Sequence, residues 1–241
     1  MNKEYLKGVL DARISTLLSE SDFSTFASLS AGEKLSFFIN NGLVSTNIVT
    51  NFEALSKHFL DDLKREIQSY LEKDTLYVDY FFAKEMVSRN VGALYTHYEE
   101  VYARVIARND KYLRYYLDYK FSLLNIINIL RAKKRGDDQA KIYELYLTNS
   151  LMNKEAYISL VNSDFSTLIT YVKNTFNIDL YEHLSNAEIE TKFDDYLYLK
   201  VKDLAVETDV YATLVYYIKM KKYELTRLRN INYTGRNNIH G

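Results

Sequence analysis

No proline occurs anywhere in this chain of 241 residues, and glycine occurs only seven times. Proline in a helix interior costs about 3 kcal/mol and glycine about 1 kcal/mol relative to alanine. A chain without the first and poor in the second can carry long, uninterrupted helices. Hydrophobic spacing points the same way. Ile48, Phe52, Leu55, Phe59, Leu63, Ile67 and Leu71 step by three or four, which predicts one amphipathic helix of about seven turns. Leu94, Tyr98, Val101, Tyr102 and Val105 form a second stripe, and Val210 to Ile231 reads as one long closing helix. Ser30-Ala31-Gly32-Glu33 and Ser185-Asn186-Ala187-Glu188 are capping boxes. Gly42 stands where the first of these helices should stop, Asp74-Thr75 marks another start, and Asn109-Asp110 interrupts before the next. No strand alternation appears. The expected fold is all-α, with long amphipathic helices and well over half the residues helical, against a globular average of about a third.

Composition removes several classes of function. There is no cysteine, so disulfides, thiol catalysis and thiolate metal sites are excluded. The four histidines, His58, His97, His183 and His240, are scattered, and no His-Glu-x-x-His motif occurs, so no metal is expected. No glycine-rich phosphate loop is present and no cofactor is expected. Asp61-Asp62, Glu99-Glu100, Asp137-Asp138 and Asp194-Asp195 are adjacent pairs. Sequence neighbours point about 100° apart on a helix, so these are not facing catalytic carboxylates. No catalytic residue is assigned, and the chain reads as a non-enzyme. Its net charge of −1 gives no global attraction for nucleic acid. The start, Met1-Asn2-Lys3-Glu4-Tyr5, reads directly as amphipathic helix without a signal-peptide core. The most apolar run, Phe121 to Leu130, spans ten residues, against the 18 or so of a transmembrane helix. Membrane association is therefore expected to be peripheral, without direct insertion. Tyrosine is abundant, at 23 residues, and suits half-buried faces and interfaces.

The segment Asn125-Ile126-Ile127-Asn128-Ile129-Leu130-Arg131-Ala132-Lys133-Lys134-Arg135-Gly136 concentrates the most information. Apolar residues at 123, 124, 126, 127, 129 and 130 cover most of a helix circumference, which predicts burial on more than one side. Arg131, Lys133, Lys134 and Arg135 complement the helix dipole in the last turn, and Gly136 is placed to supply a left-handed C-cap. Ser21-Asp22-Phe23-Ser24-Thr25 recurs as Ser163-Asp164-Phe165-Ser166-Thr167, and in each copy the Asp is placed to N-cap a short helix whose Phe faces the core. We expect two related helical units, 1–136 and 137–241, meeting at Gly136-Asp137-Asp138. Tyr181 to Asp209 holds eight acids against three lysines, and Lys219 to Gly241 holds six Lys or Arg against one Glu. Such neighbouring segments suit intramolecular pairing and also recognition of a partner.

Three regions resemble the family of V-type and A-type rotary ATPase C subunits, whose vacuolar members are called d subunits. The middle one matches the family pattern Asn-x-x-x-x-Leu-Arg-x-Lys-x-x-Gly at Asn125, Leu130, Arg131, Lys133 and Gly136. The start, Tyr5 through Ala12-Arg13 to Leu17-Leu18, is similar to the family's first helix, and Tyr217-Ile218-Lys219 with Tyr223 to Arg229 is similar to its closing helix. Family members usually carry an acid three positions before the signature Asn, where this chain has Ser122. They also typically form three helical domains, and this chain has room for about two.

The resemblance implies a non-catalytic rotor part. It would sit on the cytoplasmic face of the membrane ring, receive the central stalk subunits D and F, and couple ATP turnover to proton or sodium transport. The candidate partner contacts are the basic ends of the two long helices: Lys133, Lys134 and Arg135, and Lys221, Lys222 and Arg227. The rival reading is a helical binding module of another class, one that holds nucleic acid through Arg131, Lys133, Lys134 and Arg135. The short patch and slightly acidic net charge weigh against it.

Overall fold

The computed structural model of the chain describes residues 2–45, 51–72, 74–87, 91–148 and 150–237. Helix accounts for 78% of the structure, and no strand occurs among the described residues. In chain order the helices are α1 (Lys3–Ile14), α2 (Glu20–Ser28), α3 (Ala31–Asn40), α4 (Phe52–Leu71), α5 (Leu76–Phe81), α6 (Ala83–Met86), α7 (Val91–Ala107) and α8 (Lys111–Arg135). There follow α9 (Gln139–Tyr143), α10 (Lys154–Asn162), α11 (Phe165–Phe176), α12 (Asn186–Lys202), a 3-10 turn over Asp203–Val206 and α13 (Val210–Asn237).

Most punctuation marks act as expected. Ser30 and Ser185 accept the N–H groups of Glu33 and Glu188, and each Glu returns the bond to its cap residue. Asp110 caps α8, and Gly136 ends it with φ 71°, a left-handed conformation open to glycine without strain. Ile48 of the expected seven-turn helix lies outside the described residues; α4 begins at Phe52 and buries Phe52, Leu55, Phe59, Leu63 and Ile67 along one face.

The repeated pentapeptide does not build a repeated structure. In the second copy Asp164 caps α11 and Phe165 is the first helical residue, half-buried. In the first copy the cap is Ser19, not Asp22. Ser19 lies three residues before Asp22, so the two close a reciprocal capping box and α2 starts earlier. Phe23 is then the fourth residue of its helix and is buried.

The compact units also differ from the 1–136 and 137–241 division. One comprises Met1–Val78 with Thr208–Gly241, and the other Asp79–Glu207. The reason is that α13 packs against α1, α2 and α4, so the end of the chain completes the unit begun by its start. Gly136 is interior to the other unit. In the first unit α13 is the spine, burying Leu214, Val215, Ile218, Leu225 and Leu228. Beneath α2, α3 and α4, Phe26 meets Phe37 and Phe38 edge-on with ring centroids 5.2 and 6.1 Å apart, and Phe38 meets Phe52 at 5.5 Å.

In the second unit α8 is the spine. Helices α7, α9, α10 and α12 pack on it. Phe121, Leu123, Ile126, Ile129 and Leu130 are each at most 1% exposed, as a helix apolar on most sides requires. Tyr80, Tyr98, Tyr116 and Phe121 form a second aromatic cluster, with Tyr98 and Phe121 centroids 5.8 Å apart.

Candidate functional site

The polar residues that interrupt the apolar face of α8 all point at backbone. Ser122, Asn125 and Asn128 recur every three residues and are buried. The residues they face, 144–148 and 150–153, are largely irregular and do not satisfy all their own N–H and C=O groups. Asn125 donates Nδ2–H to the carbonyl of Leu147 at 2.9 Å and accepts the N–H of Leu147 at 2.8 Å on Oδ1. Its side chain thus replaces a missing pair of backbone bonds, and Nδ2 also reaches Ser150 Oγ at 3.2 Å. Asn128 donates to the Leu145 carbonyl at 3.1 Å and accepts the Tyr95 hydroxyl at 2.7 Å. Burial pushes the Tyr95 phenol above its ordinary pKa, which keeps it a donor. Ser122 Oγ accepts the Leu151 N–H at 2.8 Å and donates to the Asp118 carbonyl at 2.7 Å. At the position where the family pattern usually carries an acid, this serine supplies an acceptor to a loop N–H.

The cations of the signature continue this pattern. Arg131 pairs with Glu190 of α12. Lys133 donates to the carbonyls of Val161, at 2.7 Å, and Ser163, and so caps the C-terminal end of α10. Partial burial lowers the pKa of the Lys133 ammonium, and Asp164 offsets this. Lys134 donates to the Leu184 carbonyl. Arg135 is more exposed and pairs locally with Asp137, Nε to Oδ2 at 3.0 Å. The run is therefore not an open stripe of cations, which removes the main support for the nucleic-acid reading.

The second predicted set lies in the other unit and is used similarly. Glu224 of α13 is 2% exposed. Its Oε1 accepts the N–H of Leu18 at 2.5 Å in the α1–α2 connection, and Lys221 Nζ lies 2.7 Å from Oε2 as an ion pair. Burial raises the Glu224 pKa, and Lys221 acts against the rise. Lys221 also sits 5.3 Å over the Phe59 ring. Arg227 forks onto Glu20 at 2.6 and 2.9 Å and stacks 3.9 Å over Phe23. Lys222 is half-buried on the same helix. Three of the six predicted contacts lie in each unit, and Lys133, Lys134, Lys221 and Arg227 hold their own unit together.

A family sequence model described as ATP synthase (C/AC39) subunit matches residues 92–239, more than half of the chain. This chain belongs to that family. The matched span runs through α8 and the Asn125–Gly136 signature to the closing helix α13, whereas the similar start at Tyr5–Leu18 precedes it. No curated protein in the comparison matches the chain. As a C/AC39 member it is part of a V/A-type rotary ATPase. No helix among the described residues is long and apolar enough to cross a membrane.

Little in the sequence signals that the polar residues of the C/AC39 signature bond inward. The available sign is three polar residues at helical spacing within an apolar run. Such residues must find partners when buried.

Proposed function

We propose that the chain is the non-catalytic rotor component that joins the central stalk, subunits D and F, to the membrane ring, and so couples ATP turnover to proton or sodium movement. It would act on the cytoplasmic face of the membrane, held there by the complex. The family match over residues 92–239 carries this reading. The construction of the units supports it. A part that transmits torque must resist deformation, and both spine helices are cross-linked by directional bonds as well as apolar contact, buried at Asn125, part-buried at Glu224 and at the surface at Arg227. Among the predicted contacts, Arg135 is the best placed for a partner. Its side chain is 57% exposed, and its ion pair with Asp137 spans only two residues of the same surface turn. Lys222 is the remaining predicted contact and is half-buried on α13. Lys133, Lys134, Lys221 and Arg227 would bear on assembly through the shape they maintain.

The test is reconstitution. The tagged chain is mixed with the purified stalk heterodimer and with the detergent-solubilised ring, and complexes are resolved by size exclusion. Both binary complexes and the ternary one are expected. Failure of the folded wild-type chain to bind either partner refutes the linker role. Arg135→Glu is expected to slow association and weaken its salt dependence, at a cost of about 0.5–1 kcal/mol in stability from the reversed helix-end charge, which a melting curve separates from the binding effect.

A further inference from the structure

The first unit holds a half-open cleft of about 610 Å³ bordered by α1, α4, α13 and the segment after α3. Of the internal cross-links described above, Lys221 borders it, with its ammonium 5.3 Å over the Phe59 ring. Its floor is apolar: Leu43, Val44, Phe59 and Leu63 are each at most 6% exposed. Its rim is charged, with Arg13, Arg65 and Lys221 against Asp62 and Glu66. The two acids of this rim are each engaged in three bonds. Glu66 accepts Arg13 Nε at 2.8 Å, the Tyr70 hydroxyl at 2.6 Å and the Tyr217 hydroxyl at 2.9 Å. Asp62 accepts both the N–H and the hydroxyl of Ser45, at 2.8 and 2.9 Å, and pairs with Arg65. Lys221 is committed to Glu224.

The guanidinium groups are in the opposite condition. Each carries five N–H donors in a rigid fork. Arg13 meets Glu66 through Nε and also bonds Tyr70, and Arg65 meets Asp62 through one terminal nitrogen and the Asp61 carbonyl through Nε at 3.4 Å, which leaves donors on the terminal nitrogens of each fork. Their side chains remain 56% and 70% exposed at the mouth of the cleft. Donor capacity thus exceeds acceptor capacity, above an apolar floor. The complementary occupant has a carboxylate to span the two forks and an adjacent aliphatic or aromatic group to cover the floor. A cleft of this volume takes two or three side chains.

We propose that this cleft docks an acidic–apolar peptide segment of a protein partner, a Glu or Asp beside a Leu- or Phe-like side chain. The choice of a protein occupant rests on the chain being an assembling component of a larger machine. The carboxylate binds between Arg13 and Arg65, and its apolar neighbour lies on Leu43, Val44 and Phe59.

The probe is N-acetyl-Glu-Leu-amide, titrated to millimolar concentration into the full chain while the methyl resonances of Leu43, Val44 and Leu63 are followed by NMR. Saturable shifts are expected at these methyls, weakened about tenfold by Arg65→Gln and further by adding Arg13→Gln. Glu66 keeps both tyrosine donors in these variants, so the fold should persist. A control that needs no variant is N-acetyl-Gln-Leu-amide. Equal shifts with that peptide would overturn the proposal, as would unchanged affinity in the double variant. Displacement of the dipeptide by an equal concentration of inorganic phosphate would mean that the cleft takes free anions, and it would overturn the peptide assignment. A wild-type chain that binds the dipeptide yet fails to assemble with stalk and ring would refute the linker role and leave the cleft intact. The converse result would do the opposite.

Discussion

Replacing Asn125 by leucine isolates what the signature asparagine does. The two side chains are close in size and Asn125 has no exposure, so the change removes hydrogen bonds without opening a cavity. It strands the N–H and C=O of Leu147, a residue that is itself 1% exposed. Each unsatisfied buried group costs about 1–3 kcal/mol, giving about 2–6 kcal/mol for the pair. Burying extra apolar area in place of the amide returns about 1–2 kcal/mol. The ranges combine to a net loss of about 0–5 kcal/mol, centred on about 2.5 kcal/mol, or roughly 5–10 °C in melting temperature for a chain of this size. The two compact units need not melt together, so the decisive assay is native-state amide exchange. Protection at Leu147 and through residues 144–148 and 150–153 should collapse in Asn125→Leu, while amides of α1 and α13 keep theirs. Asn125→Asp serves as control. It retains an acceptor for the Leu147 N–H but turns a second oxygen toward the Leu147 carbonyl, and it should also destabilise. A loss below about 0.5 kcal/mol, with Leu147 protection unchanged, would refute the clamp.

Three further outcomes are expected. Gly136→Ala should cost about 1–2 kcal/mol by urea denaturation, from backbone strain alone, because φ is 71° and an added Cβ would meet no atom within 4 Å. Asp22, Glu33 and Asp164, mainly through hydroxyl hydrogen bonds, and Glu188, mainly through a backbone N–H, are held below their ordinary pKa values of 3.8 for Asp and 4.5 for Glu. Folded values below unfolded ones give stability that is present above the ordinary pKa and lost as pH falls through the folded value, so helix circular dichroism should decline on acidification, less steeply in Ser30→Ala and Ser185→Ala. Glu224 has the opposite sign. Burial raises its folded pKa above 4.5, so its contribution is largest at acid pH and is lost as pH rises through the folded value. Glu224→Gln, which keeps an acceptor for the Leu18 N–H, should remove that pH dependence and stay within about 1 kcal/mol of wild type at neutral pH, whereas Glu224→Ala should cost about 1–3 kcal/mol more, read from melting curves across pH.

Local chemistry made the helices legible. Absent proline, Ser-x-x-Glu boxes and three-four spacing are all read within one turn, and these placed α3, α4, α8, α12 and α13. The unit boundary was not legible, because it depends on α13 returning to α1, a contact between residues some 200 positions apart that no local pattern encodes. The pentapeptide repeat misled for a related reason. The same five residues sit at different helical positions once Ser19 supplies an upstream cap. For the candidate contacts, sequence identified the cations but not their partners. A lysine in the last turn of a helix complements the dipole wherever it points, and only the fold reveals that Lys133 and Lys134 end on carbonyls of 161, 163 and 184.

The two spines share a logic that bears on the rotor role. Helix α8 has 25 residues and α13 has 28, so at 1.5 Å per residue each is about 40 Å long. Apolar contact holds such a helix against its neighbours but is non-directional, and it resists sliding weakly. Directional bonds at several points along the rod fix its register. On α8 these are Ser122, Asn125, Asn128, Arg131 and Lys133, spread over three turns. On α13 they are Tyr217, Glu224 and Arg227, spread over nearly as much. Buried polar bonds add little net stability compared with good apolar packing, because their desolvation cost is high. Under the proposed rotor role, the polar bonds along both rods, some buried and some at the surface, would serve to hold one arrangement under load. Two variants of equal stability separate this role from a contribution to folding alone. One loses a clamp, and the other keeps every clamp but carries a surface substitution elsewhere that destabilises it by the same amount. Under the rotor reading, the clamp-deficient variant alone should reduce ATP-driven ion pumping per ATP hydrolysed. Equal coupling in the two would show that the buried bonds serve folding only.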